Sequence, residues 1–443
     1  MPRPFVPATP PGKKGKEIVE RDHKALVKTT KTSPVVVERG EGCWLTGVDG
    51  ERYLDFTSGV GVVNTGHSHP AVVEAIRRQA GQLVHFAGTD YYYEQQVELA
   101  EKLARIAPGA FAKKVFFTNS GTESNEAAIK MARYATRRRQ FLAFIGGFHG
   151  RTLGSLSLTA SKPVHQDRFF PAMPGVHHAP YANPYRNPWN LDGYEKPAEL
   201  TKAALEFIEK HLLATYVPAS DVAAIFVEPV QGEGGYVVPP KDFHAELRKL
   251  ADRHGMLLCF DEVQTGFGRT GKMFAAEHFG VSPDTMQLAK AMASGLPMGA
   301  LVARADLDFD VEGAHSNTYG GNVLACAASL ATIDVLQKGL VENAAKRGAH
   351  LRARLDELPD EFPIVGDVRG LGLMQATDLV KDRRTKEHAT KERDAVIEAA
   401  YKKGLVLLPC GKSGIRYIPP LVVTDEEIDV AVEIVRECLR AAR

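Results

Sequence analysis

Between about residues 110 and 290 the chain alternates short, unbroken apolar runs with stretches of helical spacing, and few folds accept that alternation. The runs are KVFFT (114–118), FLAFI (141–145), VAAIFV (222–227) and MLLCF (256–260). Continuous apolarity, in place of strict alternation, marks strands buried on both faces, as in a mainly parallel sheet covered by helices. One intervening stretch, KDFHAELRKLADRHG (241–255), carries helical spacing at Phe243, Leu247 and Leu250 and a glycine stop at Gly255. A long helical stretch from Val323 to Leu358 then gives way to mixed strands and helices. The last helix opens on a capping box formed by Thr424 and Glu427. The expected class is α/β, with a smaller α+β unit at the C-terminus. The expected division is 1–60 as an N-terminal arm and part of the small domain, 61–325 as the large domain, and 326–443 as the small one. The first dozen residues read as a loose arm, and the strand-like segment 35–56 is expected to pack with the small domain.

A chain of 443 residues with 44% hydrophobic content can bury cores for both units. Its 55 Lys and Arg nearly balance 54 Asp and Glu, so no broad field favours nucleic acid or an acidic membrane, and small-molecule partners fit better. Five scattered cysteines, Cys43, Cys259, Cys326, Cys410 and Cys438, include no C-x-x-C pair. That pattern argues against a disulfide framework or a zinc site and for a reducing cytoplasm. MPRPFVPATPPGKKGKE lacks the apolar centre of a signal peptide, and no apolar run approaches the ~18 residues of a membrane span.

Open α/β sheets bind ligands beyond the carboxyl ends of their strands. Four positions meet that rule: NSGTE (119–123) after KVFFT, Glu228 after VAAIFV, Asp261 after MLLCF, and Lys290 after MQLA (286–289). Ser120, Gly121 and Thr122 enter a helix and can offer N–H groups and hydroxyls to a phosphate, or act as a plain N-cap. Lys290 lies among apolar and small residues, where burial lowers an amine's pKa towards Schiff-base reactivity; a lysine snorkelling from a strand end is the plainer reading. Asp261 alone reads equally as a strand-end acid satisfied by backbone donors. The segment Gly266 to Lys272 spells G-x-x-x-x-G-K, but a nucleotide loop needs Ser or Thr next, and the chain has Met273.

In order, VVNTGHSHP, NSGTESNEAAIKMAR, GGFHGRT, EPVQGEGG, DEVQTGFGRTG, AKAMASGLPMGA and HSNTYGGN resemble the class III aminotransferases of the fold type I pyridoxal-phosphate (PLP) enzymes. The resemblance runs from about Gly40 to the C-terminus. It implies a mainly parallel seven-stranded sheet in the large domain, PLP as cofactor, and amino acids and oxo acids as substrates. It implies Lys290 as the Schiff-base lysine and proton carrier, and Asp261 as partner of the pyridine nitrogen. Ser120, Gly121 and Thr122 become the phosphate grip, Phe148 and Val263 the two faces around the ring, with His149 alongside. Gln264 falls near the ring hydroxyl and Glu228 near the cofactor. Thr318 becomes a phosphate contact supplied by a second subunit, so a homodimer or higher homo-oligomer is expected, with sites at the interface. Glu233 pairs with an active-site arginine, Arg416, and Arg151 is a second candidate for a substrate carboxylate; for both arginines a structural ion pair is the alternative.

Val60 stands where ornithine-type members carry tyrosine, which leans the donor towards 4-aminobutyrate or a similar ω-amino acid. AKAMASGLPMG has fewer glycines than many relatives, a departure that leaves the chemistry intact. The expected reaction moves an amino group from an ω-amino acid of the 4-aminobutyrate, ornithine or lysine type to 2-oxoglutarate. The stretch 174–200 resembles an insertion found in a branch that also contains amino-acid racemases, in which Glu233 would serve as a second acid. A nucleotide-binding scaffold is the remote alternative, and Met273 argues against it.

Overall fold

The structure is a computed structural model that describes residues 3–7 and 10–441. Positions 1–2 and 8–9 of the expected loose arm, and 442–443 of the expected small domain, lie outside the described residues. Within that arm Phe5 and Arg52 exchange backbone hydrogen bonds of 2.9 and 2.7 Å, and a helix, Lys13–Ala25, follows.

Seven strands form the main sheet, in the spatial order Lys113–Thr118, Gly299–Arg304, Thr285–Leu288, Leu257–Asp261, Val222–Val227, Gln140–Phe144, Val176–Ala179. Gly299–Arg304 is antiparallel to both neighbours, and the other adjacent pairs are parallel. Every residue of Val222–Val227 and of Leu257–Asp261 is buried, as unbroken apolar runs require. Side chains alternate between two cores. Phe141, Ala143 and Phe226 meet Ala128, Ile129 and Met131 of the helix Gly121–Thr136. Leu142, Phe144 and Ile225 meet Phe243, Leu247 and Leu250 of the helix Phe243–His254. Each of the Phe, Leu, Ile and Met side chains contributes about 1.5–3 kcal/mol on burial, and the alanines contribute less. That helix stops where expected, at Gly255, which takes the left-handed conformation at φ 62°.

A second sheet of four antiparallel strands, Val365–Leu371, Met374–Leu379, Gly414–Tyr417 and Leu408–Cys410, belongs to the C-terminal unit. A third joins Val37–Glu41, Trp44–Gly47 and Arg52–Asp55 to the C-terminal strand Leu405–Val406. The capping box is present: Thr424 N–H donates to Glu427 Oε2 at 3.0 Å, and Glu427 N–H to Thr424 Oγ1 at 3.2 Å. The helix Asp425–Ala441 follows it.

The helical run Val323–Glu361 is long and apolar enough, by length and composition, to cross a bilayer. Its apolar residues are used otherwise: Val323, Cys326, Ala328, Ile333 and Leu336 are buried, and all but Val323 belong to the largest hydrophobic core. Gly339, at φ 128°, breaks the run. All five cysteines are buried and free.

The G-x-x-x-x-G-K segment folds as a series of turns held by its own contacts. Gly266 N–H donates to Glu262 O at 3.0 Å and Gly271 N–H to Gly268 O at 3.0 Å. Arg269 at its centre is wholly buried and donates to Leu373 O (3.0 Å), Pro419 O (2.5 Å), Asn64 Oδ1 (2.6 Å) and Ser58 Oγ (3.3 Å).

Candidate active site

Because the central strands are parallel, the residues that follow them collect along one edge of the sheet. There Asn119, Ser120, Gly121, Thr122, Phe148, His149, Arg151, Glu228, Glu233, Asp261, Val263, Gln264 and Lys290 line a single cavity of about 450 Å³. A volume of this order suits a small organic ligand.

Asp261 ends its strand 3% exposed, and its carboxylate is held from two sides. Oδ2 accepts from Asn125 Nδ2 at 2.9 Å and lies 2.8 Å from His149 Nδ1, and Oδ1 accepts from Val263 N–H at 3.0 Å. Burial pulls the His149 pKa down, but the bond to Asp261 and the charges of Asp261 and Glu228 outweigh it, and the net direction is up. Three fixed contacts leave Asp261 little freedom.

Lys290 follows Thr285–Leu288 at φ 43°, a strained left-handed conformation for a lysine and of the kind found at functional positions. Among the described residues no hydrogen bond engages its amine. Burial draws the amine below the ordinary lysine value, against the pull of Asp261 and Glu228 towards the charged form. Glu228 is itself buried, which raises its carboxyl to about 7, while Phe148 N–H and Gly232 N–H each donate to it at 2.9 Å.

Ser120 caps the helix Gly121–Thr136, whose first N–H groups have no acceptor within the helix. Gly121 packs directly on Val263: a Cβ there would lie 2.7 Å from Val263 Cγ1. Thr122 Oγ1 accepts from Arg151 N–H at 3.2 Å, and the Arg151 guanidinium lies 5.5 Å from the centroid of the Phe148 ring. Among the described residues Gln264 Oε1 is buried without a partner. Glu233 is bonded to Arg416 Nη2 at 3.1 Å and to Lys162 Nζ at 2.5 Å. Burial pushes the Glu233 carboxyl up, but Arg416 and Lys162 outweigh it and hold it below the usual range.

Three expected site residues are not on the cavity wall: Arg416 stands behind Glu233, and Val60 and Thr318 lie elsewhere. Val62 is on the cavity wall, whereas Val60 is 44% exposed: Ser58, Gly59, Val60 and Gly61 all have positive φ, and this run turns the chain outward. Thr318 sits on an exposed loop tied to the segment 84–89 by Thr89 Oγ1 to Asn317 O (2.9 Å) and Asn322 Nδ2 to Val84 O (3.0 Å). Sequence reasoning passed over Asn125 and Lys162. Asn125 had a faint signal, an amide on the buried stripe of a helix among Ala127, Ala128 and Ile129. Lys162 had none, because its partner is 71 residues away.

These residues fit the cofactor implied by the sequence. Among the described residues a partly buried amine without a hydrogen-bond partner, a fixed carboxylate, an unpartnered Gln264 oxygen and a helix N-terminus suit an aldehyde, a protonated ring nitrogen, a ring hydroxyl and a phosphate in turn.

The model of the family described as aminotransferase class-III matches residues 26–439. A probable 4-aminobutyrate aminotransferase of Bacillus subtilis is 40% identical over 91% of this chain and 92% of its own. An alanine/serine racemase of Pyrococcus horikoshii is 38% identical over 99% of this chain and 93% of its own. An amine transaminase from an uncultivated Pseudomonas species, solved in its PLP-bound form, superposes with a TM-score of 0.87 at 33% identity, covering 100% of this chain and 99% of that one.

Proposed function

Because the chain belongs to the class III aminotransferases, with PLP as cofactor, we propose that it moves the amino group of an ω-amino acid to 2-oxoglutarate. The donor is of the 4-aminobutyrate, ornithine or lysine type. The observation that carries this reading is the Glu233–Arg416 pair beside Lys290. Closed, the pair presents no free cation, and a donor with a single carboxylate is held by Arg151. Opened, Arg416 offers its planar guanidinium to the second carboxylate of the acceptor.

When bound, PLP supplies an electron sink for the substrate carbon as its proton leaves. Asp261, fixed by Asn125 and His149, keeps the ring nitrogen protonated. Lys290 would hold the cofactor through Nζ, and as a free amine it would take the proton from the substrate carbon and hand it to the cofactor carbon; its lowered pKa favours the neutral form that accepts a proton. Ser120, Gly121 and Thr122 would anchor the phosphate, while Phe148 and Val263 would bracket the ring and keep water from it. Glu228 and Gln264 face the remaining polar edge.

A homodimer completes the site through Thr318. Support comes from the exposed apolar side chains near that loop, Phe86, Tyr92 and Tyr319, at 48%, 95% and 61% exposure.

The racemase relatives carry a second reading, in which Glu233 reprotonates the substrate from the opposite face. Its two ion pairs oppose that role, since a carboxylate held ionised by two cations is a poor acid. The test is a panel of ω-amino acids with 2-oxoglutarate, read as L-glutamate formed, beside L-amino acids alone, read by polarimetry. Glutamate formation with optical activity unchanged is expected. No glutamate from any donor, or loss of rotation without an oxo acid, would overturn the reading.

A further inference from the structure

Glu233 is held by two cations, one on each oxygen. Arg416 Nη2 lies 3.1 Å from Oε2, and Lys162 Nζ lies 2.5 Å from Oε1. The reaction described above uses only the first pair. The three side chains are poorly solvated, at 7% exposure for Arg416, 19% for Glu233 and 24% for Lys162. An acceptor carboxylate that claims Arg416 must first displace Glu233. A carboxylate this far from water that loses its only partner is strongly destabilised. Glu233 does not meet that penalty, because its other oxygen already rests on Lys162.

The arrangement also gives Glu233 somewhere to go. Lys162 lines a crevice of about 670 Å³ with Arg186, Gln231 and Lys412, whereas Glu233 lines the cavity around Lys290. The Lys162–Glu233 pair therefore stands between the two spaces, and a turn of Glu233 towards Lys162 moves it out of the substrate's way. Gly411 N–H donates to Glu233 O at 2.8 Å and keeps the backbone in place while the side chain turns.

We propose that Lys162 is the alternate counter-ion that receives Glu233 when a substrate carboxylate takes Arg416, which makes Lys162 a specificity-determining residue for the dicarboxylate acceptor. The proposal rests on the transamination reading. It differs from a general positive field, which would draw every anion equally, and from a purely structural ion pair, which would favour none.

The experiment is calorimetric titration of the holoenzyme with two unreactive acids, glutarate for the acceptor and butyrate for the donor. Lys162→Met should weaken glutarate about tenfold, the effect of losing one partner of a partly buried ion pair, and leave butyrate within about twofold. Lys162→Arg should restore glutarate binding. In a Glu233→Gln background, Lys162→Met should change nothing, because no charge remains to be received. If Lys162→Met does not fold, Lys162→Gln takes its place in the same comparison. Equal weakening of both acids, undiminished weakening in the Glu233→Gln background, or unchanged glutarate binding overturns the proposal. Wild-type enzyme that binds neither acid overturns the transamination reading beneath it.

Discussion

Gly121→Ala places a methyl group where the structure has no room for one. The new carbon would sit 2.7 and 2.9 Å from Val263 Cγ1 and Cγ2, and 3.4 Å from its Cβ. Carbon atoms settle at about 3.5–4.0 Å, so Val263 must retreat by about 1 Å. The cavity is its open side, and the face it presents there is the one expected against the cofactor ring. Overpacking of this kind costs about 1–3 kcal/mol, against up to ~1 kcal/mol gained from alanine's helix propensity. The net loss of about 1–2 kcal/mol should weaken PLP about tenfold. Equilibrium dialysis, with visible absorbance reporting the bound form, measures it. Val263→Ala removes the opposing methyls, so the double variant should recover most of the affinity. Affinity unchanged in Gly121→Ala, or a double variant that binds no better than the single one, would refute the reasoning.

Asn125→Leu keeps the volume but removes the donor 2.9 Å from Asp261. A hydrogen bond to a charged group is worth about 1.5–3 kcal/mol, so single-turnover rates should fall about ten- to a hundredfold. Unaltered rates would mean that His149 and Val263 fix Asp261 unaided. Burial lifts the Glu262 carboxyl to about 7, although Thr265, Ala275 N–H and Ala276 N–H donate to it. A carboxyl raised above its unfolded value contributes stability that is complete below about pH 4.5 and lost as pH rises through about 7. Urea unfolding at pH 5 and pH 8 should therefore show wild type losing on the order of 3 kcal/mol more than Glu262→Gln between the two pH values. Parallel behaviour would contradict the raised pKa.

Much of the sheet was legible because burial on both faces leaves an unbroken apolar run, as in Val222–Val227 and Leu257–Asp261. Two strands escaped. Val176–Ala179 reads VHHA and sits at the sheet edge, where polar histidines can face out, and Gly299–Arg304 is largely small residues next to a glycine-rich turn. Ser120, Asp261 and Lys290 were findable because strand ends mark ligand positions. Side-chain direction was not. The positive-φ run at 58–61 decides that Val62 meets the cavity and Val60 meets solvent, and no propensity announces four such residues in succession. Lys162 was invisible for a different reason, since only the folded chain brings it to Glu233.

Arg269 lies eight residues beyond Asp261 on the same continuous segment, and its guanidinium grips Leu373 and Pro419 of the C-terminal unit together with Ser58 and Asn64. One buried guanidinium thus ties stretches of chain far apart in sequence to the segment that carries Asp261. Removing the guanidinium would strand Leu373 O, Pro419 O, Asn64 Oδ1 and Ser58 Oγ together, so a single substitution would loosen the strand that carries Arg416 and the segment that carries Asp261 at once.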